Sequence, residues 1–197
     1  MLKWLRKFSR ANSSFSNDLS TILGFIPTKI EFYHQAFCHS SVGHQEYGNN
    51  ERLEFLGDAI FNAVITEYLF HKMPEKDEGT LTDIRSKMVN RKTLNLLAKK
   101  IKLDKMVQTN LGDKIPLSVY GNAFEALIAA IYLDKGPKFC NKFIIKKIID
   151  PHFSLNELET EISSYKKHFI HWAQKNNYNY SFKLISETGK AHNKNFE

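Results

Sequence analysis

Residues 51–58 read Glu51-Arg52-Leu53-Glu54-Phe55-Leu56-Gly57-Asp58, ERLEFLGD, and open a long apolar run that continues to Met73 before Pro74 stops it. Phe55, Leu56, Ala59, Ile60, Ala63, Val64, Ile65 and Leu69 make the segment strongly apolar, and it predicts a long helix over residues 51–73. Glu54 and Asp58 are four apart and lie one turn apart on one face. Two carboxylates set so closely in an apolar helix repel each other unless something positive sits between them. Gly57, between them, lets a neighbouring backbone or a ligand come close.

A second segment, residues 118–133, is also strongly apolar and carries GNAFEAL at 121–127. Asn122 and Glu125 are three apart and share a face, and Ala123, Ala126, Ala129 and Ala130 are small enough for close helix packing. If the two helices pack together, Glu54, Asp58, Asn122 and Glu125 converge. An all-oxygen cluster of that kind suits Mg²⁺, with Mn²⁺ as a substitute, rather than zinc or copper. Carboxylate-held Mg²⁺ with open positions is equipment for phosphodiester hydrolysis. Spacing alone leaves another reading open, a solvated face partnered by Lys or Arg. A carboxylate-bridged di-iron bundle needs Glu-x-x-His on two helices; Glu31 with His34 is the single candidate in the helical bundle, and the acidic pairs lack His partners.

Outward from these helices, the chain stays helical from about Asp18 to Pro151. Expected helices begin near Leu19, run over residues 30–38, fill 80–101 as one or two pieces, and close with 139–149; residues 103–116 read as loop. The acid-free start, residues 1–17, reads as a basic N-terminal extension, with an organelle transit peptide as the alternative. After Pro151 the character changes. Residues 154–164 read as a polar linker, 165–175 as a helix, and Tyr180–Ile185 alternates as a strand does, with a turn at 187–190 and a second strand starting near Asn193.

Composition limits the partners. The chain has 197 residues, 28 Lys plus Arg against 21 Asp plus Glu, and a net charge of +7, which favours polyanions. Hydrophobic residues at 42% exclude wholesale disorder. No apolar run approaches the ~20 residues of a membrane helix, so no membrane role is expected. Two cysteines, Cys38 and Cys140, with no CxxC argue against a disulfide framework or a Cys-zinc site and for a reducing, cytoplasmic setting.

With these segments read, the chain resembles the ribonuclease III family of double-strand-specific endoribonucleases. ERLEFLGD is similar to that family's signature. Gln35 to Ser41, Glu78 to Thr82, Arg85 to Asn90 and GNAFEALIAAIYLDKG at 121–136 are similar to its other blocks in the same order. The tail from Tyr165 resembles the first half of a double-stranded-RNA-binding domain. The resemblance implies an all-α nuclease domain at residues 18–153, a linker at 154–164, and a partial α+β RNA-binding domain at 165–197. It implies a homodimer that hydrolyses both strands of double-stranded RNA to 5′-phosphates with short 3′ overhangs, without a small-molecule cofactor.

By match to the motif, Glu54, Asp58 and Glu125 would ligate the metal, with Asp58 and Glu125 as the catalytic pair. Glu51 and Glu78 would line the acidic valley, and Phe55 would reach into a partner subunit unless it is an ordinary core aromatic. Asn122 stands where the family usually has Asp; an amide oxygen still ligates a hard cation but brings no charge. Ile170 and Lys190 depart from the family's usual polar residue and Pro. Duplex RNA is read through its minor groove and phosphates, for which Gln174, His192, Asn193, Lys166 and Lys175 are the tail's candidates. The rival function is a non-cleaving double-stranded-RNA-binding or ribosome-associated protein on the same fold.

Overall fold

The computed structural model describes residues 15–43, 46–112, 115–161, 165–188 and 195–196. The chain divides into two units, one ending at Glu159 and the other starting at Thr160.

The first unit is helical and is built around α6, Ser118–Lys135. Every residue from Ala126 to Ile131 is fully buried. A helix apolar on all sides must be wrapped by others, and α6 is: α3 (Glu51–Lys72), α5 (Arg91–Lys100) and α2 (Ile30–Ala36) all pack on it. Helix α1 covers residues 15–23 and buries Leu19 and Leu23, while α4, Glu78–Val89, lies against α3. Asp134, near the end of α6, accepts the Thr28 and Lys29 amides at 3.0 Å each and the Tyr33 hydroxyl at 2.9 Å, tying the α1–α2 turn to the central helix.

The stretch expected as one or two helices over 80–101 is two. Asn90 is extended (φ −68°, ψ 154°), and its side chain accepts the Thr93 amide at 2.9 Å, capping α5 while α4 ends. The last expected helix is also divided. Pro137 starts α7 (Pro137–Phe143), the chain widens into a π-helix over Ile144–Ile149, and α8 (Asp150–His152) follows. The wide turn puts Ile144, Ile148 and Ile149 into the core.

Two sequence readings need correction. Residues 154–164 read as a linker; the boundary between the two units falls inside them, but Leu155–Thr160 is a helix, α9, rather than open chain. Leu155 and Leu158 pack against the core, the Lys87 ammonium donates to the Leu158 carbonyl at 2.7 Å, and Lys76 pairs with Glu159. Three-residue leucine spacing and a buried lysine thus hold a polar segment in place.

In the second unit, α10 is Tyr165–Lys175 and closes through Asn177, which takes a left-handed φ of 55°. The Tyr180–Ile185 strand is absent. Among the described residues those residues form no helix and pair in no ladder, and Phe182, Leu184 and Ile185 are exposed. The ladder instead joins β1 (Glu187–Thr188) to β2 (Asn195–Phe196), antiparallel, with Glu187 opposite Phe196. Alternation marks an extended chain, but a strand also needs a partner. Phe169 meets Tyr180 and Phe182 edge-on, and Trp172 stacks on Tyr178 at 5.2 Å, so aromatic contacts hold residues 178–182 against α10.

Candidate active site

The crossing of α3 and α6 is closer than side chains normally permit. A Cβ on Gly57 would fall 1.7 Å from the Glu125 carbonyl oxygen and 2.5 Å from its carbon. Gly57 is therefore required because the α6 backbone occupies the space of its missing side chain. The residues flanking this contact are Glu54 and Asp58 on one helix and Asn122 and Glu125 on the other. The geometry that packs the helices is thus the geometry that gathers the oxygens.

These residues line a cleft of about 570 Å³ together with Glu51, Phe55, Asn50, His39, Ser40 and Arg91. Within it Asn122 stands beside Glu54, and Glu125 beside Asp58. Asp58 also accepts from the Asn62 amide at 2.7 Å. Burial, the Asp58 charge and the Glu54 charge together push the Glu125 carboxyl up to about 8, against the pull of Arg91. Glu54 is raised as well, chiefly by burial, with Arg91 again opposing. The cleft therefore holds more negative charge than its own cation balances.

Among the described residues, no three carboxylate, imidazole or thiolate groups are set closely enough to enclose a cation by themselves. The four oxygen donors read from the sequence do come together in one cleft lining, Asn122 beside Glu54 and Glu125 beside Asp58, but not as a ready cage. Their chemistry still fits a hard divalent ion: every donor is oxygen, and a carboxyl held protonated near neutral pH marks missing positive charge.

Other expected residues fall in different places. Glu51 is exposed at the first turn of α3 and reaches the cleft. Glu78 does not line it; it begins α4 and accepts the Thr82 hydroxyl at 2.9 Å. Phe55 is 81% exposed at the cleft, which removes the core-aromatic reading. Gln174 and Lys175 are exposed on α10, and the Lys166 ammonium lies 4.7 Å from the Phe182 ring centroid. His192 and Asn193 lie outside the described residues.

Sequence reasoning missed Arg91, Asn50 and the use of His39 and Ser40 as cleft walls. Arg91 starts α5 immediately after the Asn90 cap, 33 residues beyond Asp58, and no local pattern links the two. The usable signal was the need for a cation near a repelling acid pair.

Comparison with other proteins agrees with this geometry. The profile of the family described as Ribonuclease-III-like matches residues 29–152. The chain is 41% identical over 197 residues to Ribonuclease 3 of Zunongwangia profunda, an alignment covering 98% of this chain and 81% of that one. It is 45% identical over 172 residues to Ribonuclease 3 of Bacteroides fragilis, covering 85% of this chain and 59% of that one. A solved nuclease domain of ribonuclease III from Campylobacter jejuni superposes with a TM-score of 0.61 at 33% identity, over 66% of this chain and 93% of that one. With an all-helical nuclease fold, an oxygen-lined cleft at the α3–α6 crossing and relatives of this kind, the chain belongs to the ribonuclease III family of endoribonucleases.

Proposed function

We propose that this protein is a Mg²⁺-dependent endoribonuclease that hydrolyses both strands of double-stranded RNA, leaving 5′-phosphates and short 3′ overhangs. The observation that carries the reading is the meeting of Glu54, Asp58, Asn122 and Glu125 in one cleft beside Gly57. Mg²⁺ held there would supply an activated water and neutralise charge developing on the phosphate. Glu54, Asp58 and Glu125 are the charged ligands in this reading, and Asn122 offers its amide oxygen. Glu125, held protonated by burial and then by the neighbouring acids, would hold such an ion as the carboxylate, since a cation beside it favours the charged form. Glu51, at the cleft mouth, adds a further acid.

Exposed Phe55 suits a contact between two copies of the chain, placing two clefts on one duplex. The Campylobacter jejuni domain carries a region described as involved in dimer formation, which supports this reading by analogy. Gln174, Lys166 and Lys175, with His192 and Asn193, are the proposed minor-groove and phosphate contacts of the second unit. Precursors of ribosomal RNA are the proposed natural class of substrate, and the cytoplasm the proposed location. Among the described residues no helix is long and apolar enough to cross a membrane, and Cys38 and Cys140 are free, buried thiols.

The test is incubation of the pure protein with end-labelled duplex RNA in Mg²⁺ or in EDTA. Shortening of both strands only in Mg²⁺ supports the enzyme. Binding without cutting in either condition supports the alternative, a non-cleaving RNA-binding protein on this fold.

A further inference from the structure

The cleft poses an electrostatic problem for its substrate. Four carboxyl groups line it, Glu51, Glu54, Asp58 and Glu125, and every one that is ionised repels an approaching phosphodiester. Among the described residues Arg91 is the one Lys or Arg in the lining. It sits at the first position of α5, where the Asn90 cap holds the backbone. Its charge is felt by both Glu54 and Glu125, so it stands near the acids on both helices. Yet among the described residues it is in no ion pair. A guanidinium has five donors in a planar fork, matched to two oxygens of a phosphate. A second donor in the same lining is also uncommitted: the Asn50 amide nitrogen is buried without a partner among the described residues, and Asn50 is 1% exposed. A buried donor left unsatisfied is destabilising, and an acceptor entering the cleft would offset that cost.

We propose that Arg91 is a substrate-binding residue of the cleft, its guanidinium gripping a backbone phosphate of the RNA beside Glu54 and Glu125, with the Asn50 amide as a second donor to the same strand. The inference rests on the nuclease reading above and adds a residue to it. Arg91 supplies a permanent positive charge where Asn122 supplies no negative one, so the cleft carries less repulsion toward phosphate than an all-acid site would. Its role differs from that of the oxygen donors: it addresses the substrate's anion, whereas they address a cation.

The experiment compares the full-length chain with Arg91→Gln and Arg91→Lys. Binding of a labelled RNA duplex is followed in EDTA across a salt series, and single-turnover cleavage in Mg²⁺. Arg91→Gln is expected to make the slope of log affinity against log salt shallower by about one per engaged cleft. It is expected to slow cleavage by about 10²-fold, as losing one preoriented donor does. Arg91→Lys should keep the salt slope and recover only part of the rate, because an ammonium lacks the fork. Two results overturn the proposal. One is Arg91→Gln cleaving within about threefold of the parent with an unchanged slope. The other is a slower variant whose slope is unchanged and whose half-saturating Mg²⁺ falls, which would make Arg91 merely a screen for the acids. A parent chain that cuts nothing in Mg²⁺ would remove the nuclease reading itself; a parent that cuts alongside an unaffected Arg91→Gln removes only this inference.

Discussion

Replacing Gly57 with Ala adds one methyl group where the α6 backbone already is. The new Cβ would lie 1.7 Å from the Glu125 carbonyl oxygen, 2.5 Å from its carbon and 3.3 Å from the Ala129 nitrogen. Ordinary contact needs more than 3 Å, so the helices must separate by roughly 1.5 Å. No flexible side chain can move aside, since the obstacles are backbone atoms. Ala in a helix interior regains about 1 kcal/mol over Gly, but prying apart the α3–α6 interface costs about 3–5 kcal/mol, at the upper end of single substitutions. The net loss of about 2–4 kcal/mol corresponds to a fall in melting temperature of about 5–15 °C for a chain of this size. The same shift carries Glu54 and Asp58 away from Asn122 and Glu125, and displacement by about 1 Å costs on the order of 10²-fold in rate. Thermal melts by circular dichroism and cleavage at saturating Mg²⁺ measure both. Gly79→Ala is the control: its Cβ meets only the Asp77 carboxylate at 3.6 Å, so stability should change by no more than about 1 kcal/mol. A Gly57→Ala protein that melts within about 2 °C of the parent and cleaves normally would refute the claim that this contact assembles the site.

Three further outcomes are expected. Glu125→Gln should abolish Mg²⁺-dependent cleavage while leaving duplex affinity in EDTA nearly unchanged, since cation and phosphate contacts are separate; gel shift and cleavage on the same preparation decide it. Because the folded-state pKa of Glu125 is raised from an ordinary 4.5 to about 8, mainly by burial and then by the neighbouring acids, the folded protein binds more protons than the unfolded chain between those values. Metal-free stability should therefore fall as pH rises from about 4.5 through about 8, by about 1–2 kcal/mol once the open cleft's solvent screening is allowed for. Glu125→Gln should flatten that decline in EDTA melts, and a parallel decline in both proteins would count against the charge account. Asn122→Asp should lower the Mg²⁺ concentration giving half-maximal cleavage by restoring a ligand charge; an unmoved titration midpoint would take Asn122 out of contact with the ion.

The sequence carried the two helices of the site in plain form. Apolar periodicity from Leu53 to Leu69 and from Val119 to Ile131, with Pro74 and Gly136-Pro137 as stops, is a local pattern, and helix formation answers to local pattern. The acid spacing followed from the same period, and Gly57 signalled a close approach whose partner stayed unnamed. Elsewhere local pattern misled. Tyr180–Ile185 alternates as a strand should, but pairing depends on what lies alongside, and the ladder formed at Glu187–Thr188 instead. Residues 155–160 looked too polar to fold, yet Leu155 and Leu158 reach the core and Lys87 closes on Leu158.

The cleft itself required three dimensions. Arg91 and Asn50 enter it from separate stretches of chain, and Glu78, acidic and near in sequence order, stays out. Periodicity says which side of a helix a carboxylate occupies, because that is set by rotation per residue along one segment. Where two helices cross, which cation comes within reach, and whether Glu125 holds its proton depend on packing between residues distant along the chain; at this site that packing turns on one missing Cβ against one carbonyl oxygen.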